Sequence, residues 1–383
     1  MLIENIKLCT GCSGCYSICP TNAIEMIEDY EGFLKPIINV DKCINCKKCI
    51  SICPVLSKNT KVKNELKSYI YFNKNLSTRM KSSSGGFVGF LSEYILKNNG
   101  VIYGAAYDSN CNVNHKRCDN LSEIDAFYGS KYVESYIGKT YKLCFDDLMN
   151  KKMVLFCGTP CQIAGLKSFL KRDYENLITI DFICHGIPSR KLWKTYLQNL
   201  ENKYGDIKNI NFRDKNNGWR NYNFSIKSKS SLFSESHHKN TYMQTFLNDQ
   251  MLRKSCYKCK FRGNNRFADI TVADFWNIEK ILNDDDKGVS LILFHNKKSR
   301  LYFERINCNS YYKHITINIA KYNPSFLINP IKLNLLRSKY FSYLSHGNFV
   351  EINKLNYFYK KSILIKFIKR IYSMVQVWSS VIK

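Results

Sequence analysis

Two runs of cysteines near the N-terminus have the spacing that binds iron-sulfur clusters, C-x2-C-x2-C-x3-C-P. In such a run three closely spaced thiolates bind three corners of one 4Fe-4S cube, and the fourth, which precedes the proline, binds the other cube. The sequence therefore predicts two clusters. One is held by Cys9, Cys12, Cys15 and Cys53, and the other by Cys19, Cys43, Cys46 and Cys49.

Structural zinc is the alternative for these cysteines, but zinc sites use four ligands in two pairs rather than two crossed runs of four. Ferredoxin clusters reach roughly −400 mV or lower and pass single electrons without bond chemistry of their own. The runs therefore predict an electron-transfer module, and a partner site must use the electrons.

A further C-x2-C pair, Cys256 and Cys259, needs two more ligands to hold a metal group. Cys161 and Cys184 are the candidates because each follows a predicted strand. A third cluster, zinc at the same four positions, and buried unreactive cysteines remain alternatives. Five other cysteines have no partner spacing and are predicted to pack as small apolar residues: Cys111, Cys118, Cys144, Cys157 and Cys308.

Apolar β-rich runs alternate with helical patterns, which favours an α/β sheet with parallel strands at least in its middle. The predicted strands are Ala23–Met26, Leu34–Ile37, Tyr69–Phe72, Val101–Tyr107, Met153–Cys157, Leu177–Cys184, Tyr222–Lys227, Asp269–Ala273 and Val289–Phe294. The predicted helices are Gly86–Lys97, one that ends near Leu170, and Ser189–Leu200.

These patterns predict an α+β ferredoxin-like N-terminal module, an α/β catalytic domain with a mixed, partly parallel sheet, and a helical C-terminal tail. The polar segment Ser57–Lys67 marks the first boundary. We expect domains at residues 1–58, 68–305 and 306–383.

Two turns in the α/β region suit a ligand, because helix N-termini at strand ends present amides outward. Ser82–Gly86 opens one helix, and Gly158–Cys161 opens another. Serine capping next to glycine is common, so the first turn alone is a weak signal.

The formal net charge is +27, and all of the excess lies beyond residue 60. Charge alone does not distinguish nucleic acid, an anionic membrane, a phosphorylated cofactor or a solvated surface. No nucleic-acid-binding motif occurs among the basic runs, so we expect no nucleic-acid partner. The absence of a signal peptide and the metal-type cysteine spacing favour a reducing cytoplasm.

The C-terminal segment from Lys360 is a basic amphipathic pattern, and residues 355–383 carry six positive charges and no acid. Its longest uncharged stretch, Ile371–Ile382, has 12 residues, fewer than the roughly 20 that a spanning helix needs. Such a helix docks on its own protein or lies peripherally at the inner face of the membrane.

Eight ordered motifs resemble the coenzyme F-420 hydrogenase/dehydrogenase beta-subunit family, in its bacterial form with a fused ferredoxin module. The resemblance covers roughly residues 1–305. The motifs are Ser83–Gly86, Tyr103–Ala105, Gly129–Tyr132, Gly158–Gln162, Cys184–Gly186, Phe212–Lys215, Cys256–Cys259 and Ala268–Ile270.

This resemblance implies FAD beside a third 4Fe-4S cluster held by Cys161, Cys184, Cys256 and Cys259. It implies a flavin site lined by Ser84, Gly85, Gly86, Ser130, Lys131 and Thr159. It also makes four residues candidates for catalysis: His185, Lys131, Arg213 and Asp214.

Each of these roles has a simpler alternative. His185 could move protons or support a cluster ligand, and the second role is preferred. Lys131 could meet the flavin or be a surface lysine, and Arg213 with Asp214 could form a substrate mouth or an ion-paired turn.

The resulting hypothesis is an oxidoreductase that relays electrons between a low-potential protein partner and a small-molecule two-electron substrate. Relatives reduce different molecules, so the resemblance does not identify the substrate. The alternative is a non-catalytic carrier whose large domain docks a partner.

Overall fold

The computed structural model describes residues 3–57, 66–229, 231–263, 266–276, 278, 281, 283–306, 310–315, 331, 333–345 and 349–361. Its strands are β1 Ile24–Glu28, β2 Leu34–Ile38, β3 Lys67–Asn73, β4 Val101–Tyr107, β5 Val113–Cys118, β6 Val154–Cys157, β7 Leu177–Phe182, β8 Ile207–Asp214, β9 Asn223–Ser228, β10 Leu232–Ser236, β11 Ile270–Asp274, β12 Ser290–Phe294 and β13 Ser310–Ile315. Its helices are α1 Gly14–Ile18, α2 Lys48–Ser51, α3 Leu76–Lys81, α4 Phe87–Lys97, α5 Thr140–Met149, α6 Pro160–Leu170, α7 Arg190–Tyr204, α8 Thr241–Leu247, α9 Lys297–Arg305, α10 Arg337–Ser345 and α11 Phe349–Lys361.

The N-terminal module is a β1–β2 antiparallel hairpin between two equivalent cysteine loops. Each loop contains two left-handed residues and then starts a short helix. Gly11 and Ser13 have φ of +69° and +59° in the first loop, and Asn45 and Lys47 have +52° and +56° at the matching positions of the second. The internal repeat of the sequence is therefore also a repeat of backbone conformation.

The large domain is built on a mixed sheet, which within the described residues has eight strands in the order β13-β3-β12-β11-β7-β6-β4-β5. Its middle strands β4, β6, β7 and β11 are parallel to their neighbours in that group, and the strands outside them pair antiparallel. The predicted fold class, a mixed and partly parallel α/β sheet after a ferredoxin-like module, is confirmed.

Helices cover both faces of this sheet. Residues of α4 and α9 share one apolar core with Ile102, Leu155 and Ile178, whereas residues of α5 and α6 share another with the alternate positions Val101 and Val154. Successive residues of a strand point to opposite faces. Hence α4 and α9 lie on one face, and α5 and α6 lie on the other.

A separate three-stranded sheet, β10-β9-β8, packs with α7, α8, α10 and α11 around a third core that contains Trp193, Phe212 and Tyr340. Among the described residues no helix has both the length and the apolar character to cross a membrane.

The structure differs from the sequence-based prediction in the region after residue 305. Residues 310–315 form β13 rather than part of a helical region, because they pair antiparallel with β3 from Ser310–Asn73 to Ile315–Ser68. Tyr311 also stacks on Phe72 with ring centroids 4.7 Å apart. The helices α10 and α11 follow as expected, whereas Cys308 and residues 362–383, including most of the amphipathic tail, lie outside the described residues.

The module is docked on the large domain by the acidic turn of its hairpin. Glu28 accepts from Arg190 Nε at 2.9 Å and from Lys194 Nζ at 2.8 Å. Glu31 accepts two hydrogen bonds from Arg337, at 2.7 and 2.6 Å, and both side chains are buried. The module is therefore fixed to the large domain by charge pairs, of which the Glu31–Arg337 pair is buried, and not tethered by a linker alone.

Replacing Glu31 by Gln tests this docking. Burial raises the pKa of the Glu31 carboxyl, but Arg337 and Lys254 outweigh burial and hold that pKa below its usual value. The variant leaves the buried Arg337 without its anion and should lower the free energy of unfolding by about 3 kcal/mol.

In the unmodified protein this contribution is present above the unfolded-state pKa of the carboxyl and is lost as pH falls through the lower folded pKa. Urea unfolding monitored by tryptophan fluorescence measures the free energy of unfolding of the variant and of the unmodified protein. The matched control is Asp206→Asn, which breaks the exposed pair with Lys229 and should cost less than about 1 kcal/mol. Equal costs in the two variants would contradict the docking role.

Candidate electron-transfer site

The first group of cysteines surrounds a cavity inside the module. Cys9, Cys12, Cys15 and Cys53 line it together with Ile3, Ile6 and Thr10. Burial raises the pKa of the Cys12 thiol to about 12, and the thiols of Cys9 and Cys53 contribute to that rise. The structure thus brings Cys53 of the second run to three cysteines of the first.

The second group is closer to the protein surface. Cys46 is exposed, and Cys19, Cys43 and Cys49 are partly exposed. Burial raises the pKa of Cys49, and the neighbouring thiols of Cys46 and Cys19 add to this. Cys19 of the first run therefore lies with the second run, and this group is the one that faces solvent.

The four scattered cysteines of the large domain also line one cavity. Cys161 begins α6 just after β6, and Cys184 follows β7, the parallel neighbour of β6. Cys256 and Cys259 lie at a 3-10 turn, Lys254–Lys258, that covers these strand ends. The cavity that they share is also lined by Thr10, Ser255 and Phe261.

Thr10 Oγ1, Ser255 Oγ and Arg253 Nε are among the buried polar atoms in the wall of this cavity that have no hydrogen-bond partner among the described residues. All three are donors, and Arg262 and Arg266 line the same wall. A buried donor without a partner is costly, so this wall fits an anionic, sulfur-rich group such as a thiolate-bound iron-sulfur cluster.

The thiols themselves are strongly affected by burial. Burial raises the pKa of Cys161 to about 11 and that of Cys256 to about 12, and it raises the pKa of Cys184 well above the usual value. In Cys184 the neighbouring thiols of Cys256, Cys161 and Cys259 add to the effect. Such thiols ionise only when a cation compensates them, so binding of a metal group would release protons.

Within the described residues, no three His, Cys, Asp and Glu side chains converge closely enough to hold a single metal ion. Zinc draws four sulfurs to about 2.3 Å from one point. A cube binds each thiolate at a different corner and leaves the sulfurs farther apart.

The two cavities are adjacent. Thr10 lines both of them. Cys12 of the first cavity packs on Gly165 of α6, where an added Cβ would lie 3.0 Å from Cys12 Cβ and 3.1 Å from its Sγ. Gly165 is one helical turn after Cys161, so Cys161 and Cys12 lie along the same face of α6.

A buried ion pair occupies the junction between the cavities. Arg253 donates from Nη1 to Cys9 O at 3.2 Å and from Nη2 to Leu34 O at 3.0 Å and to Glu134. Glu134 accepts from Leu34 N at 3.0 Å through its other oxygen. Arg253 is 3% exposed, so a desolvated positive charge lies beside both groups of cysteines.

One predicted flavin-site residue, Ser130, lies at the carboxyl edge of the same sheet beside Ser83, which was not assigned to that site. Ser83 and Ser130 are joined through their hydroxyls at 2.8 Å, and Ser130 N donates to Ser83 Oγ at 2.7 Å. Arg213 donates to Ser83 O and to Asp274 Oδ2, which ends β11, at 3.4 and 3.0 Å. Arg213 Nε is buried without a partner among the described residues, so the edge fits an anionic group such as a cofactor phosphate.

Other residues of the predicted site have structural contacts of their own. Ser84 donates to Val289 O at 2.8 Å, and an added Cβ at Gly85 would lie 2.4 Å from Tyr71 O. Gly86 has φ of +87° and precedes α4. Thr159 caps α6, and its hydroxyl lies 3.1 Å from Cys161 Sγ.

The four candidate catalytic residues are not gathered at one point. Lys131 donates to Ala126 O and Tyr128 O, and burial lowers the pKa of its ammonium to about 7. His185 Nε2 lies 2.8 Å from Asp249 Oδ1 and 3.2 Å from Phe246 O. Asp214 accepts a hydrogen bond from Asn216 N at 3.0 Å. Asp214 and Arg213 are successive residues of β8, so their side chains point to opposite faces of the strand.

Sequence reasoning missed Thr10, Glu134, Arg253 and Ser255. A weak signal was present in the arginines around the second C-x2-C pair, Arg253, Arg262 and Arg266. The predicted packing cysteines Cys111, Cys118 and Cys144 are buried in apolar cores, and Cys157 is partly exposed.

Comparisons with known proteins agree with the two parts of this site. Residues 151–318 match the sequence model for the C-terminal part of the coenzyme F420 hydrogenase/dehydrogenase beta subunit. Residues 8–56 and 35–123 match two models of 4Fe-4S dicluster domains. None of the curated proteins matches the chain significantly.

Twelve chains of solved structure match significantly. One belongs to the F420-reducing [NiFe] hydrogenase complex from Methanosarcina barkeri. It is 15% identical, the match covers 78% of this chain and 91% of that one, and the TM-score is 0.43.

Arg253→Gln tests whether the positive charge of Arg253 raises the midpoint potential of the neighbouring clusters. A reduced cluster carries one more negative charge, which a nearby buried cation stabilises, so loss of that cation should lower the midpoint potential by about 50 to 100 mV. EPR-monitored redox titration measures it, with Arg253→Lys as the charge-preserving control. Unchanged potentials in a glutamine variant that retains full iron content would contradict the role.

Proposed function

We propose that this chain, whose residues 151–318 match the coenzyme F420 hydrogenase/dehydrogenase beta-subunit family and whose residues 8–56 match a 4Fe-4S dicluster domain, is an iron-sulfur, flavin-dependent oxidoreductase. In this proposal single electrons pass from the module through a third cluster to FAD, which exchanges a hydride with a small-molecule substrate.

The adjacency of the two cysteine cavities is the observation that carries the proposal. They share Thr10, and the contact of Cys12 with Gly165 places the module against α6, which has Cys161 in its first turn. Electron transfer weakens steeply with distance, so a shared wall is what a relay requires. A large domain that served only to dock a partner would not need this contact.

In this proposal different residues of the chain serve different steps of electron transfer. The solvent-facing group of Cys19, Cys43, Cys46 and Cys49 would exchange electrons with a protein partner. Arg253 would stabilise negative charge at both inner groups. The surrounding apolar side chains, including Ile3, Ile6 and Phe261, exclude water from the inner cavities.

The flavin would lie along the carboxyl edge of the sheet, beside Ser83, Ser130 and Arg213. When bound, FAD supplies the conversion between one-electron and two-electron chemistry. Lys131 is suited to hold or donate a proton there, because its pKa of about 7 leaves both forms populated at neutral pH. His185, held by Asp249, would support Cys184 instead.

The family suggests the substrate class. A deazaflavin such as coenzyme F420, for which the family is named, accepts a hydride as this chemistry requires. The alternative function is a carrier that holds the clusters without flavin and passes electrons to a partner protein.

Anaerobic purification with counts of iron, sulfide and flavin per chain tests the proposal. Three clusters and one flavin predict about twelve iron, about twelve sulfide and about one FAD. Twelve iron without flavin would favour the carrier, whereas eight iron and no flavin would contradict the proposal.

A matched pair of variants identifies the third cluster in the same assay. Cys184→Ser should lower the count to about eight iron while the module keeps its clusters. Cys144→Ala removes another buried thiol, in the core beneath α5, and should retain about twelve.

A further inference from the structure

The outer surface of the module combines apolar and basic side chains around the second cysteine run. Val40 is 75% exposed and Ile44 is 64% exposed. Lys42, Lys47 and Lys48 are exposed beside them. We call this surface the outer face; its residues are Val40, Lys42, Ile44, Cys46, Lys47 and Lys48.

Charges in the module are sorted between its two sides. Glu28 and Glu31 face the large domain and pair there with Arg190 and Arg337. Asp29 is paired with Lys35 at 2.8 Å within the hairpin. These acids are thus neutralised away from the outer face, where Lys42, Lys47 and Lys48 outnumber the nearby acids Asp41 and Glu4.

The outer face also covers the cysteine group that is closest to solvent. Cys46 belongs to the outer face itself, and Lys47 and Lys48 separate it from Cys49. The other two cysteine groups line interior cavities. A protein that touches the outer face would therefore reach the outermost group of the relay by the shortest path.

We infer that the outer face is the docking surface for an acidic electron-carrier protein, which binds by charge attraction to Lys42, Lys47 and Lys48 and by apolar contact with Val40 and Ile44. This inference rests on the proposed function and names the kind of partner that the relay takes. Small apolar patches with a charged rim are the usual anatomy of such transient interfaces.

Two segments of this chain outside the described residues are the competing occupants. Residues 58–65 contain three lysines and one acid, and residues 362–383 contain four positive charges and no acid. Both have the same sign as the outer face and would be repelled by it. Charge complementarity thus favours a separate acidic protein.

Stopped-flow reduction of the oxidised protein by a reduced, acidic plant-type [2Fe-2S] ferredoxin tests the inference. The variant Lys42→Glu/Lys47→Glu/Lys48→Glu should lower the second-order rate constant at low ionic strength by about tenfold or more. Added salt should slow the unmodified protein and leave this variant unaffected or faster.

The matched control is Lys97→Glu/Lys297→Glu/Lys313→Glu. It makes the same change in net charge at exposed lysines on α4, α9 and β13, away from the module. Its rate constant should stay within about twofold of the unmodified value. Equal slowing of both triple variants, or no slowing of the first, would overturn the inference.

Ile44→Ser tests the apolar contact of the outer face. At high salt, where electrostatic attraction between the two proteins is screened, this variant should slow reduction by ferredoxin. Dithionite, a small reductant, should reduce every variant to the same extent, because it does not need the docking surface. If ferredoxin reduces the clusters of the unmodified protein by way of the outer face but no flavin is reduced, the docking stands and the proposed oxidoreductase function fails.

Discussion

The contact between the loop of Cys12 and helix α6 is the constraint on which the rest of this structure depends. It sets the separation between the cavity of the module and the cavity of the large domain, since Cys12 rests on Gly165 and Cys161 begins the same helix. The mixed sheet contributes by placing Cys161 and Cys184 at neighbouring strand ends. The acidic hairpin turn contributes by holding the module against α7 and α10.

The junction between the two cavities leaves no room for a side chain at Gly11. An added Cβ at Gly11 would lie 2.7 Å from both Arg253 Nη2 and Glu134 Oε1, and Gly11 also has φ of +69°. A side chain at that position would displace the buried ion pair. The ion pair in turn is retained despite its desolvation cost, which is expected where a nearby anionic group compensates the cation.

Much of this arrangement could be predicted from the sequence because its signals are local. The spacing of the two cysteine runs alone indicates which thiolates would bind each cluster. Apolar strands such as Val101–Tyr107 were predicted with the observed bounds. The strands β5 and β8 were missed because polar residues interrupt their alternation, as in Val113–Cys118 at the sheet edge. Arg253 and Glu134 are 119 positions apart in the sequence and meet only in the folded large domain, so no local sequence pattern indicates their contact.

The central claim is that a third cluster lies close to the inner cluster of the module and connects it to the sheet edge. The most direct measurement is EPR of the fully reduced protein. The account predicts about three unpaired spins per chain, with lines broadened by magnetic coupling between neighbouring clusters, and about two spins in Cys184→Ser, with only the coupling between the two clusters of the module. About two spins in the unmodified protein, with the same line shape as the variant, would contradict it.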